Sequence, residues 1–409
     1  MTDGKTLLVV GGGIEAVPGV ELAQAMGLHV VVSDVDPDAP CMALADDTLI
    51  ASTYDIAATV ALAREYHEKV RPLDGVMCIA TDVPLTVASV AQDLGLPGIP
   101  VEAALLASDK LLMKDRFARD DIPIPWYSPV TDPEDLRRIV DERGTSLVIK
   151  PADSRGSRGV LRLSDGVDLE WAFGESLRHS PSDRVMVEEF LTGPQVSTES
   201  LVIDGVAYTP GFADRNYELL DEYAPHIIED GGELPSHLSD EIQNSIRDLV
   251  ERAAASLEVS SGVVKGDIVL SDGVPHVIEL AARLSGGYFC THEIPLNTGV
   301  DLVGNAIRLA IGDSVDPDDL VPRYQHHLSQ RYLFPGAGRV VSVTGDDEVA
   351  AWPGVEMVEI RVSPGDTLRS VDSHPARAGL VLVTGADRQE AMTLAKRAIE
   401  AIDIEMEPV

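Results

Sequence analysis

Cysteine is scarce. Cys41, Cys78 and Cys290 are the only three in 409 residues, and no two form a C-x-x-C pair. This excludes a disulfide framework and fits a reducing cytoplasm. Positive charge is short as well: 32 Lys and Arg stand against 68 Asp and Glu, a formal net charge of −36 at pH 7. So acidic a chain repels a phosphate backbone and carries no compensating basic arm, which argues against nucleic acid as a partner. A strongly solvated surface accounts for the acidity. Long apolar runs are missing too. Leu7–Val10 and Val30–Val32 fall far short of the roughly 20 residues needed to span a bilayer, so no membrane partner is expected. No charged–apolar–small leader opens the chain, and a cytoplasmic rather than a secreted protein is expected. Lysine is rare even among the cations, seven against 25 arginines. Each retained Lys therefore raises the question of what an ammonium does there that a guanidinium cannot.

What is present is ordinary for a globular enzyme: 44% hydrophobic and 24% charged residues, in a chain long enough for two or three domains. Residues 5–10 form a short apolar run ending in Gly11-Gly12-Gly13, followed by a helix-compatible stretch over 14–27 and a second apolar strand at 29–33. Helices are expected near 56–70 and 83–94 around a strand at 75–80. Such alternation implies a parallel, doubly wound sheet. A Gly- and Pro-rich segment, 94–100, closes this unit, with a boundary placed at 102–106. A helix over 108–120 capped by Ser108 or Asp109, a strand before Lys150, strands at 184–193 and 196–212, a helix at 240–257 and a hairpin over 262–287 make up the second unit. A long acidic stretch, 214–241, separates its parts. After Asp313 a third unit contains four strands and a helix near 387–401.

Four constellations carry chemistry. Gly11-x-Gly13-x-x-Ala16 with Asp34 matches a loose dinucleotide fingerprint, and equally a tight strand-to-helix turn. Lys110 opens a helix and Lys150 ends a strand before a glycine loop holding Ser154, Arg155, Gly156, Ser157, Arg158 and Gly159, a combination suited to phosphate. Glu188-Glu189-Phe190-Leu191 ends a strand and suits an adenine edge, with a carboxylate for the exocyclic amine. Asp267 and Glu279 flank a hairpin turn and can face one another. Two adjacent carboxylates repel unless a divalent cation joins them. Arg283 follows before a Gly-Gly and suits a transferring phosphoryl or acyl oxyanion.

Taken in this order, the four signals resemble the ATP-grasp superfamily over nearly the whole chain. The resemblance implies an α/β fold: a Rossmann-like preATP-grasp unit (1–105), a two-lobed α+β grasp (106–315, mobile lobe about 124–192) and a small C-terminal lid-anchoring α+β unit (316–409). It implies ATP and Mg²⁺ or Mn²⁺ as cofactors. Lys110, Lys150, the loop and Glu188 to Leu191 match nucleotide contacts, Asp267 and Glu279 metal ligands, and Arg283 with Lys150 the catalytic cations. Where E-x-N is usual, Glu279-Leu280-Ala281 carries Ala.

The run from Glu279 to Gly287 and the C-terminal unit look most like carboxylate–amine ligases of the L-amino acid (dipeptide) ligase type, which join a small acid to an amine through an acyl-phosphate and are commonly homodimers. A purine-pathway member using formate or bicarbonate is the alternative. A nicotinamide-dependent oxidoreductase and a non-catalytic nucleotide-binding protein stand further off. Candidate substrate contacts are Glu199, Arg215, His226, Ser285, Gly286, Gly287, and His292 with Glu293; Arg331 is a further partner for a substrate carboxylate, and acids of the 214–233 stretch would suit a substrate amine.

Overall fold

The computed structural model describes residues 4–409. The chain opens with a four-stranded parallel sheet of β1 (Thr6–Val10), β2 (His29–Asp34), β3 (Asp47–Ile50) and β4 (Gly75–Met77), ordered β3-β2-β1-β4. The apolar run of β1 is explained by burial on both faces. Leu7 and Val9 join a core with Val20 and Ala23 of α1 (Val17–Ala25). Leu8 and Val10 pack with Ala63 and Tyr66 of α2 (Ile56–Lys69) and Val90 of α3 (Pro84–Leu94).

The glycine fingerprint is spent within the protein. The Gly12 amide donates to Asp34 Oδ2 (2.7 Å) and the Gly11 amide to the Ser33 carbonyl (2.8 Å), while the Cys41 amide donates back to the Gly12 carbonyl. Asp34 is thus not free for a ribose hydroxyl. The turn begins a 3₁₀ turn, Ile14–Ala16, before α1. The observation favours the tight-turn reading and removes the ground for an oxidoreductase.

Helix α4 (Val101–Ser108) runs through the expected boundary at 102–106 and is followed directly by α5 (Lys110–Arg119). A small antiparallel sheet comes next, with β5 (Tyr127–Val130), β6 (Leu147–Pro151), β7 (Leu161–Arg162) and β8 (Val185–Glu189) in the order β5-β8-β6-β7. It packs on α6 (Pro133–Arg143) and α7 (Leu169–Arg178) through Leu136, Ile139, Ile149, Phe173 and Val187.

The largest sheet has eight strands: β9 (Gln195–Ile203), β10 (Val206–Asn216), β11 (Gly231–Leu234), β12 (Gly262–Ser271), β13 (Val274–Ala281), β14 (His327–Leu333), β16 (Val355–Ile360) and β18 (Gly379–Gly385), ordered β13-β12-β9-β10-β11-β14-β18-β16. Strands β15 (Gly338–Thr344), β17 (Thr367–Leu368) and β19 (Asp403–Glu407) form a separate three-stranded sheet. The remaining helices are α8 (Asp240–Ser256), α9 (Ile294–Thr298), α10 (Leu302–Ala310), α11 (Asp346–Ala350) and α12 (Arg388–Ala401).

Two outcomes differ from the sequence reading. The acidic stretch 214–241 contains β11, whose Gly231-Gly232 pair passes close to neighbouring backbone: a Cβ on Gly231 would collide with the Gln330 carbonyl. Moreover, the strands after residue 313 do not all form a sheet of their own, because β14 pairs with β11 and carries β18 and β16 onto the central sheet. Among the described residues, no helix is long and apolar enough to cross a membrane.

Candidate active site

A cavity of about 560 Å³ lies where the first sheet, the small sheet and the face of the eight-stranded sheet meet. Asp109 caps α5 by accepting from the Leu111 and Leu112 amides (3.0 and 3.1 Å), which fixes Lys110 at the first helical position. The Lys110 amide donates to the Ala152 carbonyl. Its ammonium donates to the Ser154 carbonyl (2.8 Å) and stands 3.3 Å from Glu279. One lysine thereby joins the glycine loop to the carboxylate hairpin.

Lys150 is buried at the end of β6, 2.5 Å from Glu188 Oε1. The other oxygen of Glu188 lies 3.2 Å from the fully buried Lys114, whose ammonium also donates to the Val277 carbonyl. Burial pushes Lys114 down to about 8, against the pull of Glu188. Burial also resists ionisation of Glu188, but the two lysines outweigh it and hold its carboxyl below the ordinary value. Glu188 therefore orients two ammonium groups, and its carboxylate is not open to an exocyclic amine as expected. Glu189, Phe190 and Leu191 line the cavity beyond it.

Asp267 and Glu279 stand directly opposite in the β12–β13 ladder, immediately before a bulge. Asp267 contacts Arg215 (2.7 Å), the Lys265 ammonium and the Ser197 hydroxyl (3.3 Å). Burial works against its charge, yet Arg215 and Lys265 hold it well below the usual carboxylate range. Arg283 is 3.8 Å from Asp82, and its Nε and Nη1 are buried without a hydrogen-bond partner among the described residues. Asp82 also faces Arg155 at 3.7 Å, and Arg155 lies 4.8 Å over the Tyr54 ring.

The glycine loop is held from several sides. Ser157, at φ 60°, donates to the Ile227 carbonyl (2.9 Å). The Gly156 carbonyl accepts from the His374 amide (3.0 Å). Ser154, Arg155, Gly156 and Ser157 line the cavity, whereas Gly159 lies behind it, its carbonyl accepting from Ser176. At φ 70°, with Pro151 and His179 close to any added Cβ, Gly159 is a turn position rather than a contact.

The substrate candidates divide. Arg215, Ser285, Gly286 and Gly287 line the cavity. Glu199 does not: it is fully buried behind the wall, accepting from the Ser285 amide (2.7 Å) and hydroxyl. Burial pushes it up to about 7 despite those hydrogen bonds. His226 lies outside, bridged to Leu161 of the small sheet and edge-on to Trp171. Of the pair His292 and Glu293, His292 packs edge-on against Tyr288, and Glu293 lines the cavity. Arg331 is held by Glu233 and the Gln330 carbonyl, away from the lining.

Sequence reading missed Lys114, Asp82, Lys265, His374 and Arg377. Lysine scarcity was the available signal for two of them. Lys114 sits one helical turn after Lys110, and Lys265 is two residues before Asp267.

The donor set suits a metal bound with phosphates. Two facing carboxylates offer only oxygen, and unpartnered buried guanidinium nitrogens call for an anion nearby. No group of three or more His, Cys, Asp or Glu among the described residues could hold a metal alone. Phosphate oxygens and water would complete such a shell.

Family models match three stretches: an ATP-grasp N-terminal domain at 20–98, an ATP-grasp domain at 107–287 and an L-amino acid ligase C-terminal domain 2 at 331–407. The uncharacterized protein y4rH of Sinorhizobium fredii is 28% identical over 400 residues, 95% of this chain and 80% of its own length. An alanine–anticapsin ligase of Bacillus subtilis is 26% identical over 295 residues, 65% of this chain and 61% of that ligase. The crystal structure of an L-amino acid ligase from Bacillus licheniformis superposes with a TM-score of 0.84 at 20% identity, covering 100% of both chains, a likeness of fold.

Proposed function

The chain belongs to the ATP-grasp superfamily of ATP-dependent ligases, and from that premise we propose that it joins a small carboxylic acid to an amine through an acyl-phosphate. One observation carries the reading: Lys110, Lys150 and Arg283 converge on the same cavity as the facing Asp267 and Glu279. A carboxylate oxygen of the acid attacks the γ-phosphorus of ATP, and the bond to the β–γ bridging oxygen breaks, releasing ADP. The amine nitrogen then attacks the acyl carbon, phosphate departs, and the nitrogen loses its proton as the amide forms.

In this scheme Lys150, held by Glu188, and Lys110, held by the Ser154 carbonyl, neutralise phosphate charge. The loop from Ser154 to Ser157 covers the phosphates, and residues 189–191 edge the adenine. Arg283 presents its unpartnered nitrogens to the charge that develops at the acyl-phosphate. Mg²⁺ or Mn²⁺ bound by Asp267 and Glu279 would supply charge neutralisation of the phosphates. Burial raises the Cys41 and Cys78 thiols to about 12, which disfavours a thiolate nucleophile, and the scheme requires none. Three buried free thiols also suit the cytoplasm.

The test is phosphate release from Mg-ATP against amino acids, amino-acid pairs, other acids with amines, formate and bicarbonate, with mass spectrometry of active mixtures. Phosphate that appears only with an acid plus an amine, together with an amide mass, is the expected result. Turnover that requires a ribotide amine would move the protein to purine chemistry. Release that ignores the acid and the amine would sink the ligase reading.

A further inference from the structure

Four side chains share one face of the β12–β13 hairpin. Asp267 stands opposite Glu279, and two residues along each strand Lys265 stands opposite Ala281. Residues two apart on a strand point the same way, and all four line the cavity. Where E-x-N is usual, this chain has Ala281. One pair of the quartet therefore offers carboxylate oxygen, and the other offers a methyl group and an ammonium.

The oxygens still open are few. Asp267 Oδ1 receives the Lys265 ammonium, Arg215 (2.7 Å) and the Ser197 hydroxyl (3.3 Å), while Oδ2 accepts no hydrogen bond among the described residues. Glu279 Oε1 faces Lys110 at 3.3 Å, and Oε2 likewise accepts no hydrogen bond among the described residues. One open oxygen on each of two facing carboxylates suits a single hard cation, its shell completed by phosphate oxygens and water. A second dication would need ligands from Lys265 and Ala281. Neither a methyl group nor an ammonium has a lone pair to give, and the ammonium repels a dication as well.

Lys265 itself is short of acceptors. Its ammonium carries three donors, and Asp267 Oδ1 is its one hydrogen-bond partner among the described residues. The side chain is only 14% exposed, so the other donors await an acceptor that enters the cavity. Of the seven lysines in the chain, three line this cavity: Lys110, Lys150 and Lys265. The first two neutralise phosphate charge in the ligase scheme, and the third has the same chemistry. An ammonium is a compact point charge, able to supply beside a phosphate part of what a dication supplies there.

Resting on the ligase reading, we propose that the hairpin carries a single divalent cation, held by Asp267 and Glu279, and that Lys265 takes the place of a second one by donating to the phosphates itself. The methyl group at 281 and the ammonium opposite it are then two halves of one arrangement. The first withholds a ligand and the second supplies the charge.

Electron paramagnetic resonance tests this by counting the Mn²⁺ that wild-type protein takes up with β,γ-imido-ATP, over what the protein holds without nucleotide. One Mn²⁺ per bound nucleotide is expected. Lys265→Met keeps much of the side chain's length and removes its charge. With the acid and amine that support phosphate release, its kcat should fall by about tenfold or more. Mn²⁺ should bind its nucleotide complex at least as tightly as in the wild type, because a repelling charge has gone, and that binding also shows the variant to be folded. Two Mn²⁺ per nucleotide in the wild type would overturn the proposal and leave the ligase reading intact. So would an unchanged kcat in Lys265→Met, or weaker Mn²⁺ binding by it, which would make Lys265 a residue that orients Asp267 for the metal. If the wild type takes up no Mn²⁺ with the nucleotide, the ATP site itself is wrong, and the ligase reading falls together with this one.

Discussion

Single residues at this site are governed by what burial does to charge. Lys150 meets Glu188 inside the protein, and Lys114 meets the same carboxylate from the other side, so the trio carries one surplus positive charge when all three are ionised. A phosphate oxygen beside Lys150 would neutralise it. Lys150→Ala should therefore raise KM for ATP by about tenfold or more, roughly 1.4 kcal/mol, with the circular-dichroism spectrum unchanged. Unaltered nucleotide affinity and rate would remove Lys150 from the phosphate site. Glu199 poses the opposite problem, an acid buried with no ion pair among the described residues. Its folded-state pKa of about 7 exceeds the ordinary 4.5, so the folded protein holds this proton more tightly than the unfolded chain. Its ionisation then subtracts stability as pH rises from about 4.5 to about 7, by up to roughly 3 kcal/mol. Urea unfolding at several pH values should show Glu199→Gln gaining on the wild type across that window. Parallel pH profiles would mean that Glu199 is not protonated when folded.

At the scale of elements, the N-terminus of α5 sets where Lys110 points. Asp109 caps two amides there and also pairs with Arg184. Asp109→Ala should lower stability by about 1–2 kcal/mol and raise KM for ATP as well, while Asp109→Asn keeps most of the cap. Thermal unfolding alongside ATP kinetics checks both parts, and an alanine variant with unchanged kinetics would separate the cap from the site. This is also the scale at which the sequence was most legible. Lys110 and Lys150 sit at the end of an element, Arg283 just beyond one, and Asp267 and Glu279 on the two strands of a hairpin whose turn is a strong local signal, and the structure brings them into one cavity. Strand β19, with its DIEME alternation, lies exposed at an edge and gave little apolar signal. Glu199, His226 and His292 went astray because depth and facing direction decide their roles, and neither is written in neighbouring residues. Asp82, Arg377 and His374 reach the cavity from segments hundreds of residues apart. No local pattern announces such a meeting.

For the whole molecule, a net charge of −36 is a standing repulsion that the fold must overcome. Raising KCl from about 0.02 M to about 1 M shortens the screening length from tens of ångströms to roughly 3 Å and should raise Tm by several degrees. A Tm that falls with salt would show that ion pairs such as Arg361 with Glu15 and Glu359 outweigh the surplus of like charge. The eight-stranded sheet bears on the molecule at the same scale. Its middle is a seam between β11, four residues long, and β14, which arrives nearly a hundred residues later. Cutting the chain between Gly312 and His326 would leave each fragment with an open strand edge shaped for the other. The two pieces, made together, should find one another and recover the site, since His374 and Arg377 on one fragment complete a cavity built mostly from the other. The fold thus contains the makings of a two-part reporter whose assembly is read out as catalysis.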